Sequence, residues 1–283
     1  MEIITTIAAM RQKIKAARFA AKFIGLVPTM GALHAGHGSL ISRAVEECDL
    51  VVVSIFVNPT QFGPGEDLGR YPRNLEQDRN YCQKLGAHLI FAPMNEEMYP
   101  QEQYAWVEVE KLTKGLCGLH RPGHFRGVAT VCLKLFNIVQ PDFAYFGQKD
   151  AQQAAVIERM VRDLNLPLEI RVSPIIRDKD GLALSSRNQY LSKEERKKAL
   201  CLYRSLEKCR DLVAGGLQNT TAICREMEVF FQQPGVTLEY IEIVDPNTLE
   251  KLSEIKTEAL IAVAARVGTT RLIDNLRINL QCP

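Results

Sequence analysis

Two histidines, His34 and His37, stand on either side of Ala35 and Gly36 in the run PTMGALHAGH, directly after the apolar stretch FIGLV. An apolar run of about five residues broken by Pro28 and then Gly31 reads as a buried strand, and residues 36–47 carry helical spacing. Both imidazoles therefore fall where a strand passes into a helix. Free backbone N–H groups and the positive end of the helix dipole converge at such a junction, which suits an anion. Two imidazoles beside it suit a phosphate that is both bound and reacted upon. The competing reading is that the histidines only cap or pack.

Two further strand ends carry polar clusters. Asn58, Pro59, Thr60 and Gln61 follow the apolar run 50–57, and Gly147, Gln148, Lys149 and Asp150 follow Phe146. In an open α/β sheet ligands bind outside the carboxyl ends of the strands, so these clusters and the histidine turn point to one crevice. Lys149, just after a glycine at the head of a helix, is a compact cation placed to meet phosphate oxygens. Gln61 and Gln153 can hold a polar small molecule without adding charge. A fourth cluster, Leu184, Ser185, Ser186, Arg187 and Asn188, offers two hydroxyls and a guanidinium, donors suited to a triphosphate. The helix after it is capped by Ser192 with Glu195, which leaves that loop for a ligand. A fifth, from Arg121 to Phe125, presents a basic residue beside His124.

The elements that position these clusters alternate along the first half: strand 24–27, helix 36–47, strand 50–57, helix 75–85, strand 88–92, helix 127–138, strand 143–146 and helix 152–164. The run LVVVSIFV is too hydrophobic for a half-exposed strand and fits a parallel sheet covered on both faces. The pattern predicts a doubly wound, Rossmann-like α/β domain over residues 1–176. After strand 170–176 come long polar helices at 193–214 and 220–232, then strands 237–244 and 259–267 that alternate more clearly. This predicts a smaller α/β domain, 177–283, with an antiparallel sheet exposed on one face. The chain shows no internal repeat.

Composition removes several function classes. With 283 residues, 46% apolar, 24% charged and a net charge of +2, the chain is that of an ordinary globular protein without a nucleic-acid-binding basic stripe. Its eight cysteines are scattered without a C-x-x-C pair, against a zinc site or a disulfide scaffold. No stretch could span a bilayer and no secretory signal is evident, so a cytoplasmic protein with reduced thiols, bound to neither membrane nor nucleic acid, is expected. The phosphate loop G-x-x-x-x-G-K-[ST], the G-x-G-x-x-G fingerprint and the G-x-S-x-G elbow are all missing. No third metal ligand stands in the histidine turn, and only Cys117 lies near a cluster, which disfavours zinc and thiol chemistry.

Taken in order and spacing, PTMGALHAGH, VNPTQFGPGED, RPGHFRGVATV, FGQKDAQQ and LALSSRNQYL resemble the pantoate–β-alanine ligase (pantothenate synthetase) family over nearly the whole chain. The resemblance implies ATP-dependent condensation of pantoate with β-alanine through a pantoyl adenylate, with release of pyrophosphate and then AMP. It implies that Met30, Gly31, Ala32, Leu33, His34, Ala35, Gly36 and His37 embrace the nucleotide phosphates, with His37 as the proton donor. Lys149, Ser185, Ser186 and Arg187 complete the donor set, so that His37, His34, Lys149 and Arg187 are the catalytic group. Gly147, Gln148, Lys149, Asp150, Ile176 and Leu184 fall on the adenosine side. Gln61 and Gln153 hold pantoate, with Asn58 and Arg121 beside them. Magnesium accompanies ATP, with Asp78 as its carboxylate partner, and the family suggests a homodimer. The C-terminal domain, which carries the Ser-Ser-Arg cluster, is expected to act as a lid. The sequence departs from common family versions at Ala35 and Cys117, where Glu is frequent, and Gly38 is expected to loosen the first turn of its helix at a cost of about 1 kcal/mol against Ala. His-x-Gly-His alone is shared with a broad superfamily of adenylyl-transferring proteins. The rival enzyme is therefore a nucleotidyltransferase that moves AMP onto a phosphorylated acceptor, and the non-enzymatic rival is a nucleotide-binding regulatory module.

Overall fold

The structure, a computed structural model, describes residues 1–280. Cys282 lies outside the described residues. In chain order the elements are β1 (Glu2–Ile4), α1 (Ile7–Phe19), β2 (Ile24–Thr29), α2 (Ala35–Glu47), β3 (Leu50–Ile55), α3 (Leu75–Lys84), β4 (Leu89–Phe91), the short α4 (Asn95–Met98) and α5 (Cys117–His120), α6 (His124–Val139), β5 (Phe143–Gly147), α7 (Ala151–Asp163), β6 (Glu169–Ser173), α8 (Lys193–Ala214), α9 (Thr220–Glu228), β7 (Val236–Val244), β8 (Glu258–Val267) and β9 (Thr270–Asn279). They fall into two compact units. The first comprises Met1–Glu110, His120–Gly147 and Val156–Pro174; the second comprises Lys111–Leu119, Gln148–Ala155 and the described chain from Ile175 on. Two short segments upstream of the expected boundary at Arg177 thus belong to the second unit.

The first unit is built on a six-stranded sheet of order β1-β4-β3-β2-β5-β6, parallel at every pairing. The strand order reverses about β2, which places a switch point at the carboxyl end of that strand. Successive strand residues face opposite sides, and both sides are dry: Leu26 and Val52 pack with Met10, Ile14, Phe136 and Ile157, while Val27, Val51 and Val53 pack with Leu40, Ile41 and Cys82. That double burial is why the β3 segment reads as a continuous β-branched run. Burying each such side chain contributes roughly 1.5–3 kcal/mol before entropy is counted. β2 runs two residues beyond the expected end, through Pro28 to Thr29. Its pairing with β5 covers only Gly25 and Leu26, so Pro28, which lacks an N–H, lies past that ladder.

The second unit holds an antiparallel sheet of order β7-β8-β9. On one face α8 and α9 supply Leu202, Leu206, Ile223 and Met227 against Ile261, Val263 and Ala265. The other face is not open, as the alternation suggested. Leu116 and Ala151 cover Val244, Leu260 and Ala262, and β8 is buried over seven successive residues. The segments around Leu116 and Ala151 group with this unit for that reason. β1, α1 and β9 lie outside the elements expected from sequence.

Candidate active site

In the first unit the chain leaves β2 through a tightly held turn. Gly31 takes φ +82°, and a Cβ there would stand 2.9 Å from Asp78 Oδ2. Thr29 Oγ1 donates to the Ser54 carbonyl and accepts the Gly31 N–H. Asp78, buried on α3, accepts the N–H of Ala32 at one oxygen (3.0 Å) and that of Leu33 at the other (2.8 Å). Burial raises its pKa by more than these two bonds lower it. The carboxylate expected beside magnesium is thus a strut for the histidine turn.

His34 is the N-cap of α2. Its Nδ1 accepts the Gly36 N–H at 3.1 Å, while His37 Nδ1 accepts the His34 N–H at 3.3 Å, so each histidine caps the helix in a reciprocal box. An Nδ1 that accepts carries no proton, which puts the ring hydrogen of each neutral imidazole on Nε2. The ring centroids are 4.1 Å apart. Capping and anion binding, posed as alternatives by the sequence, are compatible: the inner nitrogens cap and fix the tautomer, and the outer ones become donors. Ala35 is exposed and Gly36 half-buried at the helix start.

After β3, Asn58 caps a 3₁₀ turn, Pro59–Gln61. Asn58 is 1% exposed. Its Oδ1 accepts from the hydroxyls of Thr60 (2.9 Å) and Tyr99 (3.0 Å), and its Nδ2 donates to Gln61 Oε1 and to the Gly127 carbonyl, both at 3.2 Å. Asn58 therefore orients Gln61, whose amide nitrogen is turned to Met30 Sδ. The turn sits against the backbone of α6, where a Cβ on Gly127 would lie 2.4 Å from the Thr60 carbonyl oxygen. Arg121 is held by Glu66 through Nε at 2.7 Å and Nη2 at 2.5 Å, and by the Gln61 carbonyl at 3.2 Å. His124 Nδ1 lies 2.8 Å from that same carbonyl and its Nε2 lies 3.0 Å from Arg121 Nη1, which defines a neutral ring protonated on Nδ1. Asn58 and Arg121, expected on the substrate, here brace the backbone and side chain of Gln61. Tyr99 lies outside every motif read from the sequence, and Glu66, although it falls within VNPTQFGPGED, is given no role by that motif.

In the second unit Lys149 lies in the 3₁₀ turn Gln148–Asp150 that opens α7, its side chain one-fifth exposed and its Nζ 3.9 Å from Asp150 Oδ2. Gln153 is half-buried, whereas its neighbour Gln152 is buried and bonds to the backbone of Leu112, Gly115 and Cys117. Ile176 and Leu184, expected on the adenosine side, are cross-strand neighbours joined by a Leu184 N–H to Ile176 carbonyl bond of 3.0 Å. Ser185 caps the 3₁₀ helix Ser186–Tyr190 and accepts the Arg187 N–H. Among the described residues no group of three or more His, Cys, Asp or Glu could hold a metal ion. Asp78 spends one lone pair of each carboxylate oxygen on the turn.

A parallel sheet with its switch point at a His-x-Gly-His turn, and two imidazoles tautomerically set as donors over a helix N-terminus, define a nucleotide-handling α/β enzyme. The family model described as pantoate-beta-alanine ligase matches residues 2–277. Pantothenate synthetase from Thermoanaerobacter sp. strain X514 is 54% identical over 98% of both chains. Among solved structures, pantothenate synthetase from Thermus thermophilus superposes with a TM-score of 0.91 at 49% identity, covering 98% of this chain and 99% of that one. Pantoate-beta-alanine ligase from Francisella tularensis, solved in complex with beta-gamma ATP and beta-alanine, gives 0.82 at 35% identity over 98% and 97%. The chain belongs to the pantoate-beta-alanine ligase family.

Proposed function

We propose that this ligase joins pantoate to β-alanine in two steps that need no enzyme nucleophile. A pantoate carboxylate oxygen attacks the α-phosphorus of ATP, the bond to pyrophosphate breaks, and pantoyl adenylate forms. The amine of β-alanine then attacks the acyl carbon, the bond to AMP breaks, and the amine loses a proton. Catalysis of the first step is alignment plus stabilisation of charge on phosphate oxygens. The observation that carries this reading is the capped tautomer of the histidine turn: Nε2–H of His34 and His37 can donate to the α-phosphate and the departing pyrophosphate without either ring first taking up a proton.

Lys149, Ser185, Ser186 and Arg187 supply the remaining phosphate donors, and residues 147–150 with Ile176 and Leu184 receive the adenosine. Gln61 and Gln153 hold pantoate, with Asn58 and Arg121 acting through Gln61. Magnesium arrives on ATP, held by phosphate oxygens, and no step depends on Asp78 as its ligand. The second unit acts as the lid that keeps water from the acyl adenylate. The functional protein is a cytoplasmic homodimer. Support for the location is that the seven described cysteines are free and no described helix is long and apolar enough to cross a membrane. Neither the site nor the relatives favour AMP transfer to a phosphorylated acceptor. The test is a coupled assay for AMP with ATP, pantoate and β-alanine, omitting each in turn. AMP should form at a catalytic rate only with all three, and AMP formation without pantoate would overturn the reading.

A further inference from the structure

β9 breaks the alternation of a strand at one place. Asp274 and Asn275 are successive residues, face opposite sides of the sheet, and are each 3% exposed. Two polar groups buried side by side are costly unless every donor and acceptor is used, so their partners are informative. Asn275 Nδ2 donates to the carbonyls of Gln148 and Lys149, both at 2.9 Å, and Asn275 Oδ1 accepts from Gln148 Nε2 at 3.0 Å. Asp274 takes Arg177 in a fork, 2.6 Å to Oδ2 and 2.9 Å to Oδ1, and also accepts the Asn275 N–H. Arg177 in turn donates to the Gly181 carbonyl and lies over the Tyr203 ring. It also pairs with Ala183 at the base of the hairpin that leads to Ser185.

We propose that Asn275 is a positioning residue for Lys149, and that Asp274 with Asn275 sets the Lys149 turn and the root of the Ser185 to Arg187 loop from a single point on β9. This rests on the reading of Lys149 as a phosphate donor. The side chain of Asn275 bonds to the main chain of the turn, including the carbonyl of Lys149 itself, and so fixes where the ammonium starts from. An ammonium on a flexible four-carbon stem stabilises a transition state only if its root is fixed, since small displacements of a positioned group are expensive in rate.

A double-mutant cycle on the full chain, read by pantoate-dependent exchange of pyrophosphate into ATP, tests the proposal. Lys149→Ala alone should lower exchange by orders of magnitude. Asn275→Ala alone should lower the exchange rate about tenfold or more with the KM for pantoate unchanged, but less than about threefold when Lys149 is already Ala. The same factor in both backgrounds would mean that Asn275 only supports the fold, and the proposal would fall. If Asn275→Ala does not fold, Asn275→Ser, which keeps one donor, is read in the same cycle with the same criterion. Near-normal exchange by Lys149→Ala would show in the single variant, before the cycle is closed, and would remove the Lys149 assignment and this proposal with it.

Discussion

His34 and His37 each use the inner ring nitrogen to cap α2, and the turn that delivers them is gripped by Asp78 through the N–H groups of Ala32 and Leu33. The histidine pair, Lys149 and the Ser185 to Arg187 loop stand out in the sequence as candidates because they follow strands or turns in short motifs. Sequence alone does not show that Asp78, far along the chain on α3, grips the turn with both oxygens, or that Asn58 and Arg121 act on Gln61, because those relations exist only after folding. Replacing Asp78 by Asn leaves one acceptor for two N–H groups and turns an NH₂ toward the other, so Asp78→Asn should lower stability by about 1–3 kcal/mol and raise the KM for ATP. Thermal denaturation and steady-state kinetics check both effects. An unchanged KM for ATP with the stability loss present would separate Asp78 from the nucleotide site.

At the scale of elements, α2 shows where a propensity argument fails. Propensity alone makes Gly38 a weak point of the helix, yet a Cβ there would lie 2.4 Å from the Tyr81 hydroxyl oxygen, so the glycine makes room for α3 to bring Asp78 up to the turn. Gly38→Ala should therefore destabilise the protein despite a helix-propensity gain of about 1 kcal/mol. In a Tyr81→Phe background, which removes the obstructing oxygen, the same change should be tolerated. Equal melting shifts in both backgrounds would contradict this. Other elements are legible where period is strong: α8 spans 193–214 as its pattern and capping box indicate. β9 is not, because Asp274 and Asn275 interrupt its apolar alternation. β1 is only three residues long, while α1 carries its signal in Met10, Ile14 and Ala17.

For the molecule as a whole, the pairing of Glu66 with Arg121 links stability to pH. Burial pushes the Glu66 carboxyl up, but the hydrogen bonds and charge of Arg121 outweigh it and hold the pKa below its ordinary 4.5. Because the folded value lies below the unfolded one, the pairing stabilises fully above about pH 4.5 and is lost as pH falls through the folded value. Melting temperatures of wild type should drop over that acid window more steeply than those of Glu66→Gln; parallel curves would remove Glu66 as the cause. The assignment of residues 111–119 and 148–155 to the second unit is not legible in the sequence, since only packing around Leu116 and Ala151 reveals it. In the proposed mechanism adenylation of pantoate precedes the amine and does not require it. Exchange of labelled pyrophosphate into ATP tests it most directly: the protein should catalyse exchange with pantoate present and β-alanine absent. Exchange that appears only when β-alanine is added, or that proceeds without pantoate, would rule out an adenylation step that is independent of the amine.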